Sequence, residues 1–467
     1  MRKQREARII QSWQRRGQEH LFARWDKRPE RMKRALLDDL EALDVGVYEL
    51  LQRQLEMQLV DSTQRRIEPV SHIPEAEWRR NQEARAKGEQ LLAAGKVAFC
   101  TVAGGQGSRL GFDGPKGCFP ISPIREATLY QILAEKILAV RKRYERPVYW
   151  YIMTSPLNLE ETCRFFESSK YFGLRQAEVR FFTQGLFPSL SRKGGLLLAE
   201  GGGLFQNPNG HGGTISALAD SGCLEHMSGR GVEELYYFQV DNPLVRIPDP
   251  PFLGLHALES SQMSSKVIEK AYPEEKLGIV GTIDGKPGVI EYSDISEENQ
   301  NARDRNGTLL YSHGSIAIHI LNLAFLRAHS GRLPLHVAEK KIQTWIPDSA
   351  GGTVKEQTGI KFEMFIFDAL ADAHNPLFFE TTREEEFAAL KNRTGSDSIE
   401  SCRQGMMNLF ARWLEDNGIA VPRRDGKPAH RIEISPLVAW DAQSLGESLN
   451  RRLPSTVNRI DEDTLLA

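Results

Sequence analysis

No apolar run in this chain approaches the ~18 residues that a membrane-crossing helix needs. The opening Met-Arg-Lys-Gln-Arg is not followed by an apolar h-region, so no secretory signal is expected. Five cysteines (Cys100, Cys118, Cys163, Cys223, Cys402) are scattered without a C-x-x-C pair, which argues against a zinc cluster and favours a reducing compartment. An excess of either charge is also missing. Sixty Lys plus Arg face 62 Asp plus Glu, and the net charge of −2 gives no global attraction to nucleic acid or membrane. Internal repeats and low-complexity tracts are absent. These absences leave a cytoplasmic protein as the expectation, and 467 residues are enough for about three domains.

What is present is concentrated after residue 96. Val97 to Val102 is a short apolar, β-branched run that reads as a buried strand, and it enters GGQGSRLG (104–111) and then Pro115-Lys116. Val102, Ala103, Gly104 and Gly105 begin that loop. Gly104, Gly105 and Gly107 remove Cβ atoms where backbone N–H groups would approach a ligand, and Arg109 and Lys116 add positive charge. Bare amides and two cations suit a polyphosphate. Glycines alone would fit any strand–helix turn. A P-loop is excluded because Lys116 is followed by Gly117-Cys118, and the dinucleotide fingerprint fails because position 110 is Leu. The remaining pattern, GGxG[S/T]RLG followed by Pro-Lys, resembles the signature loop of the eukaryotic-type UDP-sugar pyrophosphorylase family.

Along the chain, residues 1–92 are rich in Arg, Glu, Gln and Leu, with Leu36, Leu37, Leu40, Leu43, Leu50, Leu51 and Leu55 at helical spacing. This region reads as helical and is given packing rather than chemistry. From about 96 strands and helices alternate: helix 127–144, strand 148–153, helix 158–169 and strand 179–182. Ligands of such sheets bind beyond the carboxyl ends of the strands. Pro347 to Thr358 reads as a loop, Phe362 to Ala373 as a helix, 377–380 as a strand, and helix 399–416 with strand 431–434 as a small appendage. The expected domains are 1–92, 93–395 and 396–467.

Several strand ends extend the resemblance. Gln184 in FFTQG offers a donor and an acceptor, which suits a base edge, although Gln before Gly is by itself an ordinary turn. Asn207-Pro208-Asn209-Gly210-His211-Gly212-Gly213 resembles the family's P-x-G-N-G-G segment, with His211 where asparagine is usual. Asp241 follows the strand 235–240. Alone it would be a turn or cap residue, but in V-D-N it matches the family's metal-holding segment. The run from Lys266 to Ser296 resembles the family's sugar-recognition segment and brings Glu291 and Tyr292, read as part of a strand 289–293. Ser315, in LLYSHGSI, stands where the N-acetylhexosamine branch has asparagine, and Ser312 and His313 differ there too. Lys340 and Lys341 lie in a segment resembling HVA-x-KK-I, and Lys361 in one resembling GIK-x-E.

The resemblance runs from about 97 to 440 and implies a Rossmann-like, GT-A-like nucleotidyltransferase with a mixed α/β sheet. The implied reaction joins UTP and a sugar-1-phosphate, N-acetylglucosamine-1-phosphate or a related hexosamine phosphate, with Mg²⁺ as cofactor. It implies Arg109 and Lys116 on the triphosphate, Asp241 on Mg²⁺, Lys361 on the attacking phosphate, and Val102, Ala103, Gly104, Gly105 and Gly210 along the nucleotide. Gln184 is implied on the base, His211, Glu291, Tyr292 and Ser315 on the sugar, and Lys340 or, by preference, Lys341 on phosphate. Glucose- or galactose-1-phosphate stands as an alternative sugar. A glycosyltransferase stands as a second class, lacking its usual D-x-D because position 243 is Pro. A non-catalytic UTP-binding protein is the third.

Overall fold

The computed structural model describes residues 2–60, 66–292, 294–330, 333–348, 352–452 and 459–467. The chain forms two compact units built from discontinuous segments. One comprises Met1–Arg65, Gln184–Gly213 and Arg332–Asp368, the other Arg66–Thr183, Thr214–Gly331 and Ala369–Ala467. These segments cut across the ranges 1–92, 93–395 and 396–467.

The larger unit holds a mixed sheet. Besides a short edge strand, Ile67–Glu68, its strands are β1 (Val97–Val102), β2 (Trp150–Thr154), β3 (Val179–Thr183), β4 (Glu234–Gln239), β5 (Met263–Glu269), β6 (Ile279–Ile283), β7 (Lys286–Ile290), β8 (His313–Asn322) and β9 (Leu377–Glu380). The order β6-β8-β4-β1-β2-β3 places β1 centrally, parallel to both β2 and β4. β8 runs antiparallel to β4 and to β5, and β9 pairs in parallel with β5. The central strands are buried on both faces, which explains why β1, β2 and β4 read as unbroken apolar runs. Helix Leu129–Tyr144 covers the sheet. Thr128 caps it by accepting the Gln131 N–H at 3.1 Å, and Leu129, Ile132, Leu133, Ile137 and Val140 form its buried stripe. The basic Arg141, Lys142 and Arg143 in its last turn suit the negative end of the helix dipole.

In the smaller unit, helices Arg2–Gln14, Glu30–Ala42 and Val45–Val60 share one core with the hairpin formed by His336–Ile346 and Thr353–Glu363. Trp13, Leu36, Leu40, Tyr48 and Leu51 pack there with Leu190, Leu196, Trp345, Ile360 and Phe362. Some of the buried polar groups are joined in a chain of bonds. The Gln18 amide donates to Tyr48 Oη at 2.6 Å and accepts the Leu196 N–H at 2.8 Å, while Tyr48 donates to the Gly194 carbonyl at 3.2 Å.

Three sequence readings are corrected here. Residues 353–358 are not loop but strand, with Val354 opposite Trp345 and Gln357 opposite Ile342; residues 349–351 of that reading lie outside the described residues. Phe362 does not open a helix. The cross-strand pairing carries Phe362 and Glu363 to the end of the hairpin, and only Ile366–Asp372 turns, as a 3₁₀-helix. β7 ends at Ile290, where its pairing with Ile279 ends, so Glu291 and Tyr292 follow the strand instead of alternating on it; Ser293 lies outside the described residues.

Candidate functional site

The residues singled out in the sequence fall in both units. In the larger one, parallel pairing sets the carboxyl end of β1 beside that of β4, with Val102 opposite Gln239. The Val240 N–H donates to the Val102 carbonyl at 3.1 Å, and the Ala103 N–H to Met153 O at 2.8 Å, so the loop leaves from a fixed point. The loop then folds back on itself: Lys116 N–H donates to Gly105 O at 3.1 Å and Gly107 N–H to Gly114 O at 2.9 Å. Among the described residues, the N–H groups of Gly104, Gly105 and Gln106 have no partner. They are free to receive an anion.

The glycines divide by purpose. A Cβ on Gly105 would meet only Lys116 Cε at 4.0 Å, so this face is open to a ligand. A Cβ on Gly107 would lie 2.7 Å from the Phe112 ring, so Gly107 serves packing, not close ligand approach, and its N–H is already used. Gly117 faces the Tyr130 ring at 2.2 Å in the same sense, and Gly111 takes a positive φ of 72° that closes the turn.

Lys116 and Asp241 meet across this loop. Lys116 Nζ lies 3.2 Å from Asp241 Oδ2, and Asp241 Oδ1 has no partner among the described residues. Arg109 is exposed, without an ion-pair partner among the described residues. Asp241 is held from behind: its carbonyl accepts the Leu390 N–H at 2.8 Å. Its neighbour Asn242 donates to Glu386 O at 2.6 Å and accepts the N–H groups of Leu244 and Ala388, both at 3.2 Å. Glu386 is itself anchored by buried Lys266 (Nζ–Oε2 2.5 Å) and by Arg79 at 2.8 Å. Burial opposes its charge, but Lys266, Arg79 and Arg246 outweigh burial and hold the carboxyl well below the usual carboxylate range.

Two residues here were missed from the sequence. Fully buried Asn158 donates to the carbonyls of Ala103 at 3.0 Å and Gly105 at 3.4 Å and so clamps the glycine loop. Asn242 supports Asp241 as described. Their signal is weak, because an Asn after a strand is also an ordinary turn residue. Elsewhere in the larger unit, Ser315 N–H donates to Gly278 O at 2.8 Å, and Glu291 Oε1 lies 3.5 Å from where a Gly278 Cβ would stand, so Ser315 and Glu291 converge on Gly278. Tyr292 is exposed.

In the smaller unit Gln184 is buried, and Asn209 N–H donates to Gly185 O at 3.0 Å. Gly210 takes a φ of 85° with the Met364 carbonyl 2.4 Å from its absent Cβ, a position that only glycine fits. His211 stacks on Phe365 at 5.3 Å and meets Phe367 edge-on, and its Nδ1 accepts the Ile366 N–H at 3.2 Å. Burial, then the neighbouring His336, push its pKa down to about 4, so the ring is neutral near pH 7. On the hairpin Lys361 is opposite Ala338, and alternation puts Lys340 on that same face. Lys341 falls on the other face with Glu339, which pairs with Arg192 at 2.6 Å. Lys341 therefore does not share a face with Lys361.

The sequence profile of the UTP–glucose-1-phosphate uridylyltransferase family matches residues 48–399. A UDP-N-acetylhexosamine pyrophosphorylase-like protein of Xenopus tropicalis is 37% identical, covering 92% of this chain and 91% of its own. A UDP-N-acetylglucosamine diphosphorylase of Arabidopsis thaliana is 36% identical over 92% of this chain and 89% of its own. The crystal structure of a uridine diphosphate N-acetylglucosamine pyrophosphorylase from Trypanosoma brucei superposes with a TM-score of 0.80 at 25% identity, covering 99% of this chain and 98% of that one.

Proposed function

Because the chain belongs to the UTP–glucose-1-phosphate uridylyltransferase family, we propose that it makes a UDP-sugar and pyrophosphate from UTP and N-acetylglucosamine-1-phosphate or a closely related hexosamine phosphate. A phosphate oxygen of the sugar-1-phosphate attacks the α-phosphorus of UTP, and the bond to the β-phosphate breaks. Such chemistry asks for positioning and charge neutralisation rather than a protein nucleophile. The observation that carries this reading is the juxtaposition of unpartnered amides at Gly104–Gln106 with Lys116 and Asp241 at the ends of two adjacent parallel strands.

In this reading Arg109, Lys116 and the glycine-loop amides hold the triphosphate. Asp241 fits Mg²⁺, since its Oδ1 is uncommitted and Mg²⁺ needs only one or two protein carboxylates beside phosphate oxygens and water. Mg²⁺, when bound, neutralises charge on the phosphates. Gln184 reads the base and Gly210 lies along the nucleotide. His211, acting as a neutral imidazole, and Glu291, Tyr292 and Ser315 contact the sugar. Lys361 steers the attacking phosphate. Its face of the hairpin supports Lys340 rather than Lys341 as the second cation.

Among the described residues no helix is long and apolar enough to cross a membrane, and all five cysteines are free thiols. The cysteine usage supports the cytoplasm as the compartment. The test is pyrophosphate release from UTP and Mg²⁺ over a panel of sugar-1-phosphates. Turnover preferring the N-acetylhexosamine phosphates is expected. Turnover with glucose-1-phosphate alone would move the protein to the other branch.

A further inference from the structure

One cluster in the larger unit, outside the residues given roles above, has the composition of a metal centre. His72, His313 and Glu380 each present one ligand atom, and these atoms all lie within 4.8 Å of one another. Among the described residues no other group of three His, Cys, Asp or Glu side chains does so.

Main-chain bonds bring these distant residues together. Ile73 N–H donates to Phe378 O at 2.8 Å and Glu380 N–H to Ile73 O at 3.0 Å, which fastens the segment carrying His72 along β9. Glu380 is opposite Val267 on β5, and Glu269 of the same strand is opposite His313 at the start of β8. His313 and Glu380 therefore sit on the two strands that flank β5, and His72 on the segment bridged to β9, positioned before any ion arrives.

The side-chain geometry agrees. His313 Nε2 lies 3.4 Å from Glu380 Oε1. Two ligands of a tetrahedral ion with bonds of about 2.0–2.1 Å stand about 3.3 Å apart. The His72 ring lies against His313 with centroids 3.9 Å apart. The remaining atoms have partners of the kind that orient metal ligands: His313 Nδ1 is 2.9 Å from Ser312 Oγ, and Glu380 Oε2 accepts the Glu75 N–H at 3.3 Å. In the tautomer that donates Nδ1–H to Ser312, the Nε2 lone pair faces a carboxylate oxygen, a juxtaposition that a cation relieves. Exposed Glu269 adds a second carboxylate across from His313.

We propose that His72, His313 and Glu380 bind one divalent transition-metal ion of the zinc class, with the remaining coordination completed by water. Two imidazoles and one carboxylate select Zn²⁺, Co²⁺ or Ni²⁺ over Mg²⁺, which takes oxygen ligands. The ion ties the 72–75 segment to the end of β9 and the start of β8, so it is a structural clamp.

The test titrates the chelator-stripped full chain with Co²⁺ in excess Mg²⁺, following the visible d–d absorption that nitrogen-ligated cobalt of low coordination number gives. The expected band saturates at one equivalent and is displaced by Zn²⁺. Its affinity falls by at least about tenfold in His313→Ala, Glu380→Gln and His72→Asn. It is unchanged in His374→Ala, which removes an exposed histidine elsewhere. Zn²⁺ raises the Tm of the wild type and of His374→Ala but not of His313→Ala. The absence of a saturable band in the wild-type chain overturns the proposal, as does unchanged affinity in the three ligand variants.

Discussion

Lys116 Nζ and Asp241 Oδ2 face each other at 3.2 Å, with 12% and 13% of their side chains exposed. The two residues lie 125 positions apart in sequence, and the parallel pairing of β1 with β4 brings them together. In this arrangement each neutralises the other. In the proposed reaction a metal-bound triphosphate would substitute for both partners at once, phosphate oxygens taking the lysine and the cation the carboxylate.

Removing the lysine therefore tests the phosphate side. Lys116→Ala is expected to lose ~2–4 kcal/mol of transition-state stabilisation, about 10²–10³-fold in kcat/KM, by analogy with single-donor deletions elsewhere. Steady-state kinetics at saturating UTP measure it. A near-wild-type value would take Lys116 out of the site.

The carboxylate gives a separate signature. Asp241→Asn is expected to raise the Mg²⁺ concentration needed for half-maximal rate by at least about tenfold, since one anionic oxygen ligand is lost. A rate that falls with an unchanged Mg²⁺ requirement would argue for a role in holding Lys116 alone.

The two kinds of glycine in the loop separate stability from activity. Gly117→Ala drives a Cβ into the Tyr130 ring and is expected to cost about 1–3 kcal/mol of stability by overpacking. Gly105→Ala meets no closer neighbour than 4.0 Å, so its Tm stays at the wild-type value while KM for UTP rises. Urea midpoints and UTP kinetics on both variants decide this, and a destabilised Gly105→Ala would contradict it.

How much of this was legible in the sequence depended on whether a signal was local. The buried strands β1, β2 and β4 are uninterrupted apolar runs, and the loop after β1 carries its glycines and cations in one contiguous stretch. Both could be read directly. The hairpin end at 353–363 could not. Its strand character comes from pairing with 336–346, and its Gly-, Ser- and Thr-rich approach resembles a loop. Asn158 and Asn242 were invisible for another reason, since their importance lies in which carbonyls they reach. The face of Lys341 follows from cross-strand register, which a single strand's sequence does not state.

The buried network behind Asn242 sets an acid limit. Glu386 has a folded-state pKa below its ordinary value of 4.5, so its contribution to stability is complete above that pH and is lost as pH falls below it. Lys266→Met leaves Glu386 without its closest buried cation and is expected to destabilise the protein by about 3–5 kcal/mol at pH 7. The difference from wild type narrows in acid, once Glu386 can protonate in the variant, because burial favours its neutral form when Lys266 is gone. Urea unfolding at a series of pH values measures both, and a pH-independent difference would rule out the charge pairing as its cause.

His211 acts in the same direction from the opposite charge type. Its pKa falls from 6.5 unfolded to about 4 folded, so the unfolded chain binds the proton first and stability drops as pH falls from 6.5 towards 4. Above pH 6.5 its effect on stability is flat. His211→Asn is expected to lessen the drop, and NMR titration of the ring should show no protonation between pH 5.5 and 8. Protonation near pH 6.5 would place His211 in a wetter environment than its stack on Phe365 implies.

The most direct test of the whole account is pyrophosphate release by the purified full chain from UTP and Mg²⁺ with N-acetylglucosamine-, N-acetylgalactosamine-, glucose- and galactose-1-phosphate in turn. The expected result is stoichiometric UDP-sugar and pyrophosphate, fastest with an N-acetylhexosamine phosphate. Binding of UTP with no pyrophosphate released from any of the four would contradict it.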